Sequence, residues 1–119
     1  MESVRASACS KVLVTGAYLI IDPKYRGLVL ATDARFHAVS RLRQGADPSL
    51  LEVRVTSRQF RQTLGFTVRQ GEIVSTSEGA SPFLTKCITY LAMVARARDV
   101  RLDGHSLEVD LVGDNAFYS

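Results

Sequence analysis

Tryptophan is missing from the 119 residues, and cysteine, methionine and proline are scarce, at two, two and three. The two cysteines, Cys9 and Cys87, are far apart and show neither metal-ligand nor redox spacing. A reduced, cytoplasmic setting is therefore the expectation. His37 and His105 are isolated, so no zinc-binding set can be drawn from them. No apolar run approaches the roughly 20 residues that a membrane-spanning helix requires. Met1-Glu2-Ser3-Val4-Arg5 lacks the apolar core of a signal peptide. Gly-x-Gly and P-loop patterns are absent, and with them any sequence signal for a nucleotide-phosphate cradle.

What is present fits one soluble globular domain. The chain is 46% hydrophobic and 23% charged, ordinary values for a folded protein. Its length allows roughly two thirds of the unfolded surface to be buried, enough for one core. The net charge is +3, and much of the excess lies in Arg41, Arg43, Arg54, Arg58, Arg61 and Arg69. These arginines read either as a nucleic-acid footprint or as a solvated sheet face. The second reading is preferred, because Arg54 and Arg69 alternate with apolar neighbours and no aromatic ladder accompanies them.

Periodicity predicts strands over Val4 to Ala8, Val12 to Thr15, Tyr18 to Ile21, Leu28 to Ala31 and Arg35 to Arg41. Turns are expected at Gly16-Ala17 and from Asp22 to Gly27. Leu51, Val53 and Val55 alternate with polar residues as a half-buried strand does. Gln44 to Pro48 reads as a loop, and Phe66 to Arg69 with Glu72 to Ser75 as a hairpin across Gln70-Gly71. One helix is predicted, capped by Ser81 with Pro82 at its first position and Leu84, Ile88, Leu91 and Ala95 on one face. Leu107, Val109 and Leu111 form a last strand. Strands, one helix and a closing strand imply an α+β layer with an unmatched sheet face.

The most informative stretch is Ser7-Ala8-Cys9-Ser10-Lys11-Val12-Leu13-Val14-Thr15-Gly16-Ala17-Tyr18-Leu19-Ile20-Ile21-Asp22. A lysine opens an apolar strand, which turns at a glycine into a second apolar stretch led by a tyrosine. This layout resembles the first motif of the GHMP small-molecule kinases, in which Ala-Pro-Gly-Lys precedes an apolar run. Tyr18 followed by Leu19 and Asp22 resembles the phosphomevalonate kinase branch of that superfamily. Gly27-Leu28-Val29-Leu30-Ala31-Thr32-Asp33-Ala34-Arg35-Phe36-His37-Ala38-Val39 is similar to Gly-Leu-Val-Val-Ala-Thr-x-Ala-Arg-Phe-x-Ala-Val of the same branch. Ser57-Arg58-Gln59-Phe60, Ser81-Pro82-Phe83 and Asp114 to Ser119 resemble further segments in matching order.

The resemblance implies a GHMP kinase N-terminal domain of the ribosomal-protein-S5-like type, with a mostly antiparallel sheet and with residues 1–119 ending before the glycine-rich ATP-binding motif. It implies that the complete enzyme uses ATP and Mg²⁺ to convert 5-phosphomevalonate to 5-diphosphomevalonate in the mevalonate pathway of isoprenoid biosynthesis. Lys11 would be the catalytic and substrate-binding cation, stabilising phosphate charge. Tyr18 would help to shape the substrate pocket, or would be a half-buried strand tyrosine. No residue of this chain is assigned to ATP or to a metal, since Gly-Leu-Gly-Ser-Ser-Ala has no counterpart in it. Ser77 to Ser81 precedes a helix, but Pro82 lacks a donor and Glu78 has the wrong charge for a phosphate.

Two departures bear on Lys11. Cys9-Ser10 stands where the family has Pro-Gly, and Ala17 stands where it has Gly or Glu. Cys9 reads as a small buried residue rather than a nucleophile. Asp22 and Asp33 read as solvated turn residues, so no acid or base partner is found and the isolated chain is expected to be inactive. The alternatives are another GHMP kinase such as mevalonate kinase, which usually has His where Tyr18 stands, and a non-catalytic RNA-binding or interaction module. An uncovered sheet face is expected at Leu107, Val109 and Leu111 or at Leu51, Val53 and Val55.

Overall fold

The computed structural model describes residues 3–16, 18–59, 61–76 and 81–115, and of Ile20 and Ser75 the backbone alone. Ala17, Phe60, the Ser77 to Ala80 segment and Ala116 to Ser119, which enter the sequence arguments above, lie outside the described residues. Six strands and one helix follow one another as β1 (Ser3–Thr15), β2 (Leu28–Gln44), β3 (Leu51–Ser57), β4 (Gln62–Arg69), β5 (Glu72–Ser75), α1 (Pro82–Ala97) and β6 (His105–Gly113). They form one sheet in the order β1-β2-β6-β3-β4-β5. Every pairing is antiparallel except that of β3 with β6. The expected α+β, mostly antiparallel architecture is present.

Alternation places Leu51, Val53 and Val55 of β3 and Leu64, Phe66 and Val68 of β4 on one face of the sheet. All six are buried, Phe66 and Leu51 almost completely, and Ile88 of α1 closes over them. Leu84 and Ala92 of α1, Ile73 of β5 and Leu107, Val109 and Leu111 of β6 extend this core. Leu51, Val53 and Val55 are thus covered, and Leu107, Val109 and Leu111 pack partly buried against them, contrary to both expectations for the bare face. The helical face is also shifted by one position. Ala92, and not the exposed Leu91, packs against the core beside Leu84 and Ile88.

Local chemistry sets the ends of these elements. The Ser81 hydroxyl accepts a hydrogen bond from the Leu84 N–H at 3.3 Å, and Pro82 opens the helix, as the sequence predicts. At the other end Val100 donates to the Ala95 carbonyl at 2.8 Å and Asp99 to Arg96 at 3.2 Å, a Schellman closure. Gln70 and Gly71 both take positive φ, 49° and 83°, the geometry of a two-residue hairpin turn between β4 and β5.

The first third departs from its expected segmentation. The predicted strands Val4 to Ala8 and Val12 to Thr15 are one strand, β1, and Leu28 to Ala31 and Arg35 to Arg41 are one strand, β2. The predicted strand at Tyr18 to Ile21 is instead a single 3-10 turn over Leu19–Ile21. Cross-strand pairing, which no local pattern encodes, resumes on both sides of the polar interruptions in the long strands. Beyond Cys9 and Arg35 the two strands leave the sheet as a two-stranded arm, with Val12, Leu13 and Val14 facing solvent beside Leu28, Val29 and Leu30. Val4, near the start of β1, is 67% exposed. The bare apolar surface of the sheet therefore lies mainly on β1 and β2. The molecule measures 50 × 33 × 30 Å with a radius of gyration of 17.2 Å. A compact chain of this length would have about 13–14 Å, so the arm dominates the shape.

Candidate functional site

Lys11 lies in the arm, immediately past an irregularity in the β1–β2 ladder. Cys9 pairs with Arg35, and the next regular pair is Lys11 with Ala31. One β1 residue, Ser10, therefore faces three β2 residues, Thr32, Asp33 and Ala34. Bulges of this kind bend a strand and re-aim the side chains next to them. Lys11 is thus not at the mouth of a strand, as its position in the sequence suggests, but inside β1 beside a bulge. Its side chain is exposed, and no acidic partner reaches it among the described residues. A compact, unpaired ammonium of this kind is available to an anionic oxygen.

The bulge is held by hydroxyls. Thr32 Oγ1 meets Ser10 Oγ and lies 3.4 Å from the carbonyl oxygens of both Ser10 and Ala34. Ser10 and Thr32 are half-buried while Lys11 beside them is open. Asp33 belongs to the bulge within β2, not to a turn between strands. Asp22 does lie in a turn, where its Oδ1 accepts from the Lys24 N–H at 3.0 Å.

Tyr18 stands at the tip of the arm, 89% exposed, with φ of 60° and ψ of −39°. A non-glycine residue at positive φ is strained, and such strain gathers at functional positions. This exposure overturns one of the two expectations for Tyr18, that of a half-buried strand residue. Lys11 and Tyr18 share the arm, but no hydrogen bond or cation–π contact joins them among the described residues. Cys9 is exposed rather than buried, because β1 is an edge strand.

A network that sequence reading does not single out ties β1, β2 and the end of β6 together on the near side of the bulge. Asp114 Oδ1 lies 2.8 Å from His37 Nε2, and Asp114 Oδ2 accepts the Arg35 N–H at 2.7 Å. Arg35 Nε and a terminal guanidinium nitrogen donate to the Ser7 hydroxyl and carbonyl at 2.9 and 3.0 Å. The Arg35 N–H, followed by His37, holds the Asp114 carboxyl below its usual range. These partners are 28 to 79 residues apart in sequence, so no spacing rule could have found them.

Three of the six central arginines lie in charge pairs. Arg41 pairs with Asp110 at 3.5 Å, Arg43 with Glu108 at 3.7 Å and Arg69 with Asp47 at 3.5 Å. That arrangement describes a solvated sheet face with both signs interspersed. Among the described residues no three His, Cys, Asp or Glu side chains converge as a metal site would need.

The α1 N-terminus does not fit the ATP phosphates. Pro82 has no N–H, the Ser81 hydroxyl occupies that of Leu84, and the Ser81 carbonyl occupies that of Thr85. Too few free donors remain to cradle a nucleotide. A cleft of about 380 Å³ at the other end of α1 has a floor of Leu51, Val68 and Ala92, with Arg96, Asp99, Arg101 and Asp103 also lining it. It is far from Lys11 along the fold, since Leu51 opens β3 at the end of the sheet opposite to the arm.

No family model matches the chain. Over an alignment of 134 positions it is 31% identical to the peroxisomal phosphomevalonate kinase of Arabidopsis thaliana, covering 98% of this chain and 26% of that protein. Over 33 residues it is 54% identical to a phosphomevalonate kinase of Aspergillus fumigatus, covering 28% of this chain and 7% of that one. The chain thus spans about a quarter of the length of the plant relative, and it is similar to proteins named as phosphomevalonate kinases.

Proposed function

We propose that this chain corresponds to the N-terminal, substrate-side part of a GHMP-type phosphomevalonate kinase, with Lys11 as the cation for a phosphate oxygen. The observation that carries this reading is the similarity over 98% of the chain to a protein of that name. The exposed, unpaired Lys11 beside a bulge supports it chemically. In the complete enzyme ATP and Mg²⁺ supply the phosphoryl group and the charge neutralisation. The residues present here fit neither the nucleotide nor the metal, so the 119-residue chain by itself is catalytically inert. Its own contribution is to offer one fixed positive charge, with Tyr18 at the arm tip close to where substrate would approach. The bare apolar surface of β1 and β2 is where further protein would pack in the complete kinase. The cytoplasm is the proposed compartment, and imaging of a tagged full-length protein would separate it from a peroxisomal location.

The test is a titration of the chain with phosphomevalonate, followed by amide resonances. Resonances around Lys11 should shift, mevalonate should bind more weakly for want of the phosphate, and Lys11→Ala should weaken phosphomevalonate binding by about tenfold or more, the usual worth of a charge-assisted contact. Equal responses to both ligands with no effect of Lys11→Ala would overturn the reading. So would ADP release from ATP and phosphomevalonate by this chain, as far as its inertness is concerned.

A further inference from the structure

We infer that Thr32, acting through Ser10, is a positioning residue for Lys11. The inference rests on the reading of Lys11 as a phosphate-binding cation, and it adds the device that aims it. Between the pairs Cys9–Arg35 and Lys11–Ala31 the ladder must accommodate one residue against three. A two-residue excess has many backbone solutions, and left alone it would let the arm swing and Lys11 move with it.

Thr32 removes that freedom. Its hydroxyl touches Ser10 Oγ, the Ser10 carbonyl and the Ala34 carbonyl, and so connects both strands of the bulge at one point. Each hydroxyl has one proton. Two hydroxyl protons for these acceptors give a directed chain: Ser10 Oγ–H donates to Thr32 Oγ1, and Thr32 Oγ1–H donates to a bulge carbonyl. Ser10 immediately precedes Lys11, so whatever fixes the Ser10 backbone fixes the origin of the lysine side chain. A flexible four-carbon stem gains most from a fixed origin, because less freedom is then left to lose on binding. Ser10 occupies the place of a glycine in the resembled motif, and its hydroxyl supplies from a side chain a constraint that the Pro-Gly backbone would otherwise provide.

The experiment is a double-mutant cycle on phosphomevalonate affinity, with the unfolding midpoint of each variant measured alongside. Thr32→Val keeps the shape and removes the hydroxyl, and it should weaken binding by about tenfold, the effect of one lost hydrogen-bonding constraint. Thr32→Ser should restore affinity to near that of the parent. Lys11→Ala combined with Thr32→Val should bind no more weakly than Lys11→Ala alone, because Thr32 acts through the lysine. Unchanged affinity in Thr32→Val, or losses that simply add in the double variant, would overturn the inference and leave the Lys11 reading standing. Unchanged affinity in Lys11→Ala, or no binding by the parent chain, would overturn both. Should Thr32→Val not fold, Ser10→Ala carries the same test: it removes the donating hydroxyl alone, and parental affinity in it would count as refutation.

Discussion

Asp99 shows how a single residue can work against its surroundings. It occupies the left-handed position that closes α1, with φ of 55°, where glycine carries no Cβ penalty. Its carboxylate also sits at the negative end of the helix dipole. Asp99→Gly should therefore stabilise the fold by about 1 kcal/mol, read as a higher urea midpoint with unchanged slope. Asp114 is the complementary case, a carboxylate that its neighbours favour. The Arg35 N–H and His37 lower its pKa, and hydrogen bonds from Ser49 lower that of Asp47. A depressed folded-state pKa means that the unfolded chain binds more protons between the two values. The stabilisation from both groups is thus present above the unfolded carboxylate value of about 3.9 and is lost as pH falls through the lower folded values. Asp114→Asn should flatten the acid limb of a stability–pH profile, and an unchanged limb would deny the His37–Asp114–Arg35 network any role in stability.

At the scale of elements, α1, β3, β5 and β6 are legible in the sequence, and the strands of the first third are only partly so. β4 is legible only from Phe66, although it starts at Gln62 and buries Leu64. Leu51, Val53 and Val55 announce β3 because they alternate and are buried on one side only, which is the condition that creates the pattern. Ser81-Pro82 and Gln70-Gly71 encode their cap and turn through local stereochemistry. β1 and β2 read as shorter pieces because polar residues interrupt their apolar runs, whereas pairing between them resumes beyond the bulge at Ser10 and Thr32. Tyr18 to Ile21 reads as strand by composition, but among the described residues no strand pairs with it and it forms a 3-10 turn. The core made by β3, β4 and α1 is the stable element. Phe66 is 1% exposed at its centre. Phe66→Ala should cost about 3–5 kcal/mol, with loss of cooperative thermal unfolding as the visible outcome. A cost below 1 kcal/mol would place the core elsewhere.

Across the whole molecule the distribution of apolar surface is uneven. The core lies under α1, while the β1–β2 arm leaves Val12, Leu13, Val14, Leu28, Val29 and Leu30 in solvent. A long edge strand with such residues is a template for association. Leu13→Asp should lower self-association in light scattering while changing the unfolding free energy by no more than about 0.5 kcal/mol, since an exposed arm residue supports little of the core. Association that persists unchanged would move the sticky surface away from the arm. The arm also carries Lys11 and Tyr18, so both candidate site residues lie where β1 and β2 have no third strand beside them.

The amino-acid sequence alone carried the α+β class, the capped helix and the buried alternation of β3. Each of these follows from interactions within a few residues or from a burial pattern written along one element. Only the tertiary structure decided that Lys11 follows a bulge stapled by Thr32, that Asp114 grips Arg35 and His37, and which sheet surface stays bare. These depend on pairing between segments 22 to 79 residues apart, where register and not composition sets which groups meet.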